Sequence, residues 1–189
     1  MGARIVVGSS KQNIVKQLSH FLKEKGYNVI GETTDGYDFL RKVHDMYPDL
    51  CILDFNMKGL NGHEVSEVII SDNLCPVITM VTSAEQHYFL NLSQEAGFTL
   101  LVKPLNRMVL LSTIDIMVKT SRNIQHLQKE VKHLKKKQDS KTILDHAKQL
   151  LMKQLHLTEG EAHKRILRES MNRGFSKEMI AKEIIQKYS

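Results

Sequence analysis

Three polar residues close apolar runs in the sequence. Asp54 follows Leu50-Cys51-Ile52-Leu53, Thr82 follows Val77–Val81, and Lys103 follows Thr99–Val102. A carboxylate, a hydroxyl and an ammonium brought to one edge can converge on a single anion-binding point. Lys103 precedes Pro104, and a cis bond there would aim the amine back across that edge. Each residue alone is most simply a polar strand end meeting water; all three at one edge are harder to explain that way. A second set is cationic: Lys148, Lys164, Arg165, Arg168 and Arg173 fall in the last third of the chain. Arginine can bracket a phosphate with two parallel hydrogen bonds or read a base edge, although any one of these side chains could equally be solvated.

The first set needs a sheet to align it, and residues 1–120 supply one. Arg4–Gly8, Tyr27–Gly31, Leu50–Leu53, Val77–Val81 and Thr99–Val102 read as strands. Helical patterns fall between them over Lys11–Lys25, Asp35–Tyr47, His63–Ser71 and Ala84–Ala96, and a long helix begins at Asn106. Regular β/α alternation means a doubly wound parallel five-stranded sheet, an α/β fold with helices on both faces. Ligands of such sheets sit beyond the carboxyl ends of the strands, where Gly8, Ser9, Asp54, Thr82 and Lys103 fall.

From Leu110 the apolar period becomes seven. Positions 110, 117, 124 and 131 are Leu, Met, Ile and Val, and Leu127 and Leu134 accompany the later ones. This predicts a coiled-coil helix, with homodimerisation through residues 110–138; the alternative is an amphipathic helix packing within its own chain. Lys135-Lys136-Lys137 interrupts the seam, and Asp139-Ser140 reads as a break. The expected division is an α/β domain over 1–120, a linker helix over 121–141 and a small three-helix domain over 142–189. Its helices are Thr142–Leu155, a second opened by a Thr158/Glu161 capping box and ended near Gly174, and a third capped by Ser176. Ala147, Leu151, Ala162, Ile166 and Met171 are its expected core residues.

The segment Leu53-Asp54-Phe-Asn-Met57-Lys-Gly-Leu-Asn61-Gly62-His-Glu64, with Val81-Thr82-Ser83 and Val102-Lys103-Pro104, resembles the receiver (flavodoxin-like) domain of two-component response regulators over residues 3–119. The resemblance implies that Asp54 is the phospho-acceptor, that Thr82 senses the phosphoryl group, that Lys103 pairs with it, and that the Asn56 carbonyl is a metal ligand. A sensor histidine kinase would be the partner and Mg²⁺ the cofactor. Three departures stand out. The acidic pair expected after the first strand reads Gly8-Ser9, Lys58 replaces a proline, and Leu100 replaces the aromatic switch residue. Mg²⁺ wants octahedral oxygen ligands including carboxylates, and phosphoryl transfer relies on it. The pocket would be Asp54⁻ with Lys103⁺, electrically balanced without metal, so the expectation is no bound cofactor and little or no phosphorylation.

Ala147-Lys148-Gln149-Gln-Leu151-Met152, then Leu157-Thr-Glu-Gly-Glu-Ala162, Arg168, Ser170-Met171, Ile180-Ala181 and Ile184-Ile185 resemble the ANTAR domain of antitermination regulators. Gln149 stands where that family commonly has Gly, and His163 where an aromatic is usual. The resemblance implies binding to hairpins of a transcript leader, with Lys148, Gln149, Lys164, Arg165, Arg168 and Arg173 as candidate contacts.

Charge agrees with this division. The 189 residues carry +6 overall, but residues 1–120 hold 11 Lys and Arg against 13 Asp and Glu, while residues 121–189 hold 16 against 8. A basic third of a chain points to a polyanion. The lack of tryptophan argues against a base-stacking platform. A DNA-binding transcription factor and a coiled-coil adaptor binding no nucleic acid are the alternatives. An enzyme is not expected, because nothing around Asp54, Thr82 and Lys103 forms a nucleophile–base relay. No apolar run approaches the ~20 residues that span a bilayer. The N-terminus has no signal-peptide pattern, and Cys51 and Cys75 read as reduced core thiols, so the cytoplasm is the expected compartment.

Overall fold

The five apolar runs pair as one parallel sheet in the order β2-β1-β3-β4-β5 in the computed structural model, which describes residues 2–188. The strands are β1 (Arg4–Gly8), β2 (Asn28–Thr33), β3 (Leu50–Asp54), β4 (Val77–Val81) and β5 (Phe98–Val102). β2 starts one residue later than the sequence suggests and runs two further, because Gly8 still pairs with Thr33. Strand order reverses at β1, whose neighbours are β2 and β3, and the crevice of a doubly wound sheet opens at that reversal.

Side chains alternate faces along each strand. Ile5, Val7, Leu50 and Ile52 face α1 (Gln12–Glu24) and the first turns of α4 (Arg107–Leu155), where Leu110, Ile114, Met117 and Val118 are buried. Val6, Cys51 and Leu53 face α2 (Gly36–Met46) and α3 (Gly62–Ser71), packing on Phe39, Val43, Val65 and Ile69. Asp35 caps α2 by accepting the Asp38 amide. Tyr47 ends it in the left-handed region at φ 45°, just before Pro48.

Two expectations about helices are corrected. Ala84–Ala96 is not one α-helix but two short 3₁₀ segments, Ser83–Phe89 and Leu92–Gln94. Within them only Phe89 and Leu92 are buried, three residues apart, which favours the tighter 3₁₀ winding over a continuous α-helical face. Asp139-Ser140 does not break the long helix either, and α4 runs unbroken from Arg107 to Leu155. The lysines there are good helix formers, and Thr142 Oγ1 bonds back to the Gln138 carbonyl at 3.0 Å instead of opening a new turn.

The chain divides at Gln125/His126 into two compact units. In the second, α4's last turns, α5 (Glu159–Arg173) and α6 (Lys177–Tyr188) enclose Ala147, Leu151, Ala162, Ile166, Ile180 and Ala181. Thr158 and Glu161 form the expected capping box, and Gly174 ends α5 at φ 66°. Met171, expected in this core, is instead 75% exposed, as its position in α5 points away from Ala162 and Ile166. Leu110 and Met117 are consumed by the sheet core, so the heptad seam cannot begin at Leu110; its uncovered part is Ile124, Leu127, Val131 and Leu134.

Candidate functional site

Asp54 ends β3 with its side chain 5% exposed, and both carboxylate oxygens have partners. Lys103 Nζ donates to Oδ1 at 2.5 Å and Ser9 Oγ donates to Oδ2 at 3.1 Å. The Lys103–Pro104 peptide is cis. Ser9 itself is 1% exposed. Strand parity explains this meeting: Ser9 continues the Ile5–Val7 face and Asp54 the Leu50–Ile52 face, so both reach the same side of the crevice.

Gly8 has the opposite parity and does not line the pocket, which corrects the reading of Gly8-Ser9 as the altered pair. A Cβ at Gly8 would lie 2.6 Å from the Phe39 ring and 2.9 Å from Met57 Cε. The residue completing the edge is Ser10, whose N–H donates to the Asn56 carbonyl at 2.8 Å. The two positions beside Asp54 and Asn56 are therefore Ser9 and Ser10.

The structure also brings in Glu85, which the sequence reading missed. Its carboxylate accepts the Thr82 amide at 2.7 Å and the Asn56 side-chain amide at 2.9 Å. Burial pushes the Glu85 carboxyl up, but the Thr82 and Asn56 hydrogen bonds and the Lys103 charge outweigh that and hold its pKa below the ordinary value. Thr82 is exposed and its backbone, through Glu85, closes the pocket mouth. Asp54 is thus not the only carboxylate at this edge, and Asp54, Glu85 and Lys103 sum to −1. The signal was present: Thr82-Ser83-Ala84-Glu85 has the hydroxyl-to-carboxylate spacing that identified Thr158 and Glu161. Leu100 is half-buried and packs on the α2/α3 side of the sheet.

These donors do not suit Mg²⁺. Ser9 and Ser10 are neutral, both Asp54 oxygens and the Asn56 carbonyl are engaged within the protein, and no group of three metal-competent side chains occurs among the described residues.

In the second unit the six candidates separate. Lys148 is held by Asp145 at 2.7 Å and Glu159 at 2.9 Å, with its side chain only 17% exposed. The Asp145 bond, then the Glu159 bond, raises its pKa. Arg173 pairs with Glu183 at 2.5 Å and lies 5.0 Å over the Phe175 ring. Lys164, Arg165 and Arg168 are exposed on α5 and have no ion-pair partner within 4.0 Å among the described residues. Gln149 is exposed on the outer side of α4.

A doubly wound domain with a buried carboxylate clamped by a lysine at its switch point, joined through a long helix to a small basic bundle, defines a regulator of receiver-plus-output type. Residues 5–115 match the response regulator receiver domain and residues 132–185 the ANTAR domain. The chain belongs to the response regulator receiver family and carries a C-terminal ANTAR domain. It is 28% identical over 184 residues to the transcriptional regulatory protein PdtaR of Mycobacterium tuberculosis, covering 97% of this chain and 89% of that protein. It is 32% identical over 97 residues to the alkaline phosphatase synthesis transcriptional regulatory protein PhoP of Bacillus subtilis, covering 51% of this chain and 40% of that one. The crystal structure of a response regulator receiver domain protein from Methanospirillum hungatei superposes with a TM-score of 0.56 at 19% identity, covering 65% of this chain and 98% of that one, a likeness of fold. No helix among the described residues is long and apolar enough to cross a membrane.

Proposed function

We propose that this chain is an RNA-binding antitermination regulator of the two-component type, acting in the cytoplasm on hairpins of a transcript leader. The observation that carries the reading is the unpaired cationic face of α5, Lys164, Arg165 and Arg168, in a module whose other candidate cations are bound by its own carboxylates. Hairpin loops offer such side chains unstacked bases and closely spaced phosphates. The module extends over 142–189, the receiver-like domain over 1–120, and the helix between them pairs two copies through Ile124, Leu127, Val131 and Leu134, setting two basic modules on one transcript. A sensor histidine kinase is the conventional input, but Ser9 and Ser10 leave Asp54 without metal support, so the receiver acts with little or no phosphorylation.

Gel shifts with a two-hairpin leader RNA and a DNA duplex of equal length test this reading. The RNA should bind more tightly; preference for the duplex would favour a DNA-binding regulator, and no affinity for either at low salt an adaptor working through the helix alone. About three phosphate contacts per module give a slope of log K against log salt near −2, not the −3.5 that about five contacts would give. Arg165→Ala with Arg168→Ala should flatten it by about 1.4. Incubation with acetyl phosphate and Mg²⁺ should leave the intact mass unchanged. Ready gain of a phosphoryl group, lost in Asp54→Ala, would overturn the reading of the pocket.

A further inference from the structure

The chain has two cysteines, 24 residues apart, and the fold brings them together. Cys51 lies in β3, fully buried on the α2/α3 side, and Cys75 immediately precedes Pro76 at the entrance to β4. Cys51's amide donates to the Pro76 carbonyl at 2.9 Å, which fixes the start of β4 beside β3. The two Sγ atoms are 3.3 Å apart, and both thiols are free. The environments differ. Cys75 is half-buried, whereas Cys51 has no exposed surface. Burial, then the bond and charge of Cys75, pushes the Cys51 thiol well up, so Cys51 stays protonated until a partner sulfur draws its electrons.

We propose that Cys51 and Cys75 form a peroxide-reactive dithiol that closes to an intramolecular disulfide between the entrances of β3 and β4. Cys75 is the half that meets the oxidant. Its thiolate attacks one peroxide oxygen, the O–O bond breaks, and with one proton taken up the products are a Cys75 sulfenic acid and water. The Cys51 sulfur then attacks the Cys75 sulfur; the S–O bond breaks, the S–S bond forms, and the Cys51 proton leaves with the hydroxyl as a second water. The net change is two thiols and one peroxide to one disulfide and two waters, with the sulfurs losing two electrons and the peroxide gaining them. Closure needs the sulfurs to approach from 3.3 Å to about 2.05 Å. The cross-link would enclose the segment carrying Asp54, Asn56 and α3, three residues from the acceptor along β3.

The test uses the full chain, reduced, desalted and treated with hydrogen peroxide at a small molar excess, then alkylated under denaturing conditions and weighed intact. The expected product has lost two hydrogens and takes no alkyl group, and dithiothreitol restores two alkylatable thiols. Cys51→Ser should stop at a sulfenic acid on Cys75 that dimedone traps, and Cys75→Ser should remain unoxidised because Cys51 is covered. The wild-type measurement stands alone if either variant folds poorly. A wild-type product that keeps its hydrogens and carries oxygen on Cys75, a disulfide between two chains, or two unmodified thiols at a peroxide dose that oxidises glutathione would each overturn the proposal.

Discussion

Lys103→Met removes the cation from the Asp54 pocket while keeping most of the side-chain volume. At 2.5 Å and an effective dielectric of about 20, the pair has a gross attraction of about 7 kcal/mol. Desolvation cancels most of it in the intact protein. What the substitution exposes is the other side of the balance, a carboxylate 5% exposed whose remaining side-chain donor is Ser9 Oγ. Orphaning one half of a buried pair destabilises by about 3–5 kcal/mol. Lys103 is itself 29% exposed, so water enters the gap and the expectation falls to about 2–3 kcal/mol. Asp54→Asn leaves an ammonium that can turn outward and hydrate, and should cost about 1 kcal/mol or less. The double variant should then be little worse than Asp54→Asn alone, giving a coupling of about 2 kcal/mol in the cycle. Urea unfolding followed by circular dichroism measures the free energies, and amide exchange along β3 and β4 assigns the change to the first unit. A Lys103→Met variant within about 0.5 kcal/mol of the parent, or losses that simply add in the double variant, would refute the pair as the element holding the pocket at rest.

Ser9→Asp with Ser10→Asp should make the pocket depend on Mg²⁺. The double variant should melt lower than the parent in EDTA because a carboxylate is forced beside Asp54, and recover about 2.7 kcal/mol at a Mg²⁺ concentration near one hundred times its Kd, whereas the parent melts alike with and without the ion. Tyr27 donates to Asp115 at 2.7 Å, and burial followed by that bond raises its pKa to about 12. Because the folded value lies above the ordinary value of about 10, the phenol's contribution to stability is complete below pH 10 and is lost as pH rises toward 12; Tyr27→Phe should delete the ultraviolet ionisation step near 12 and flatten the alkaline fall in stability. Leu127→Ser with Val131→Ser should give monomers in sedimentation while circular dichroism keeps its helical signal, since both side chains are exposed within one chain; an unchanged dimer would move the contact elsewhere.

The sheet and its switch point were legible because buried parallel strands are continuous apolar runs, and Asp54, Thr82 and Lys103 ended three of them. Three details were not, each for a local reason. Apolar periodicity alone could not distinguish a 3₁₀ pair from a helix over residues 84–96, since only Phe89 and Leu92 anchor that stretch. The pocket's register slipped by one because Gly8 ends β1 and resembles a loop residue, although strand parity already placed it with Val6 against Phe39. Glu85 escaped notice because a capping carboxylate normally serves only its own helix, and here it also reaches Asn56 across the pocket mouth. Along α4, heptad positions 110 and 117 were indistinguishable from 124 and 131 by pattern, yet the first two pack on the sheet and the latter two are uncovered.

The charge division also changes meaning once partners are counted. An excess of positive charge attracts polyanions from a distance, but a cation contributes a contact only if it need not abandon a carboxylate to make it. Lys148 would leave Asp145 and Glu159, and Arg173 would leave Glu183 and the Phe175 face; these pairs are better suited to fixing α4, α5 and α6 around their small core. Lys164 and Arg168 are four residues apart on α5 and Arg165 adjoins them, so the three unpaired candidate contacts lie together along one helix, while Lys153 of α4 and Lys177, Lys182 and Lys187 of α6 are exposed cations elsewhere in the module. The pocket in the first unit follows the opposite logic. There Lys103 is already bound to Asp54, Ser9 donates to the same carboxylate, the Ser10 amide donates to the Asn56 carbonyl, and Glu85 accepts from the Thr82 amide and the Asn56 side chain. An incoming phosphoryl group would have to displace Lys103 or Ser9 from Asp54 without a metal to offset its charge, whereas an anion meeting α5 displaces only water. The unit that resembles an input is electrostatically closed, and the open charge lies in the output.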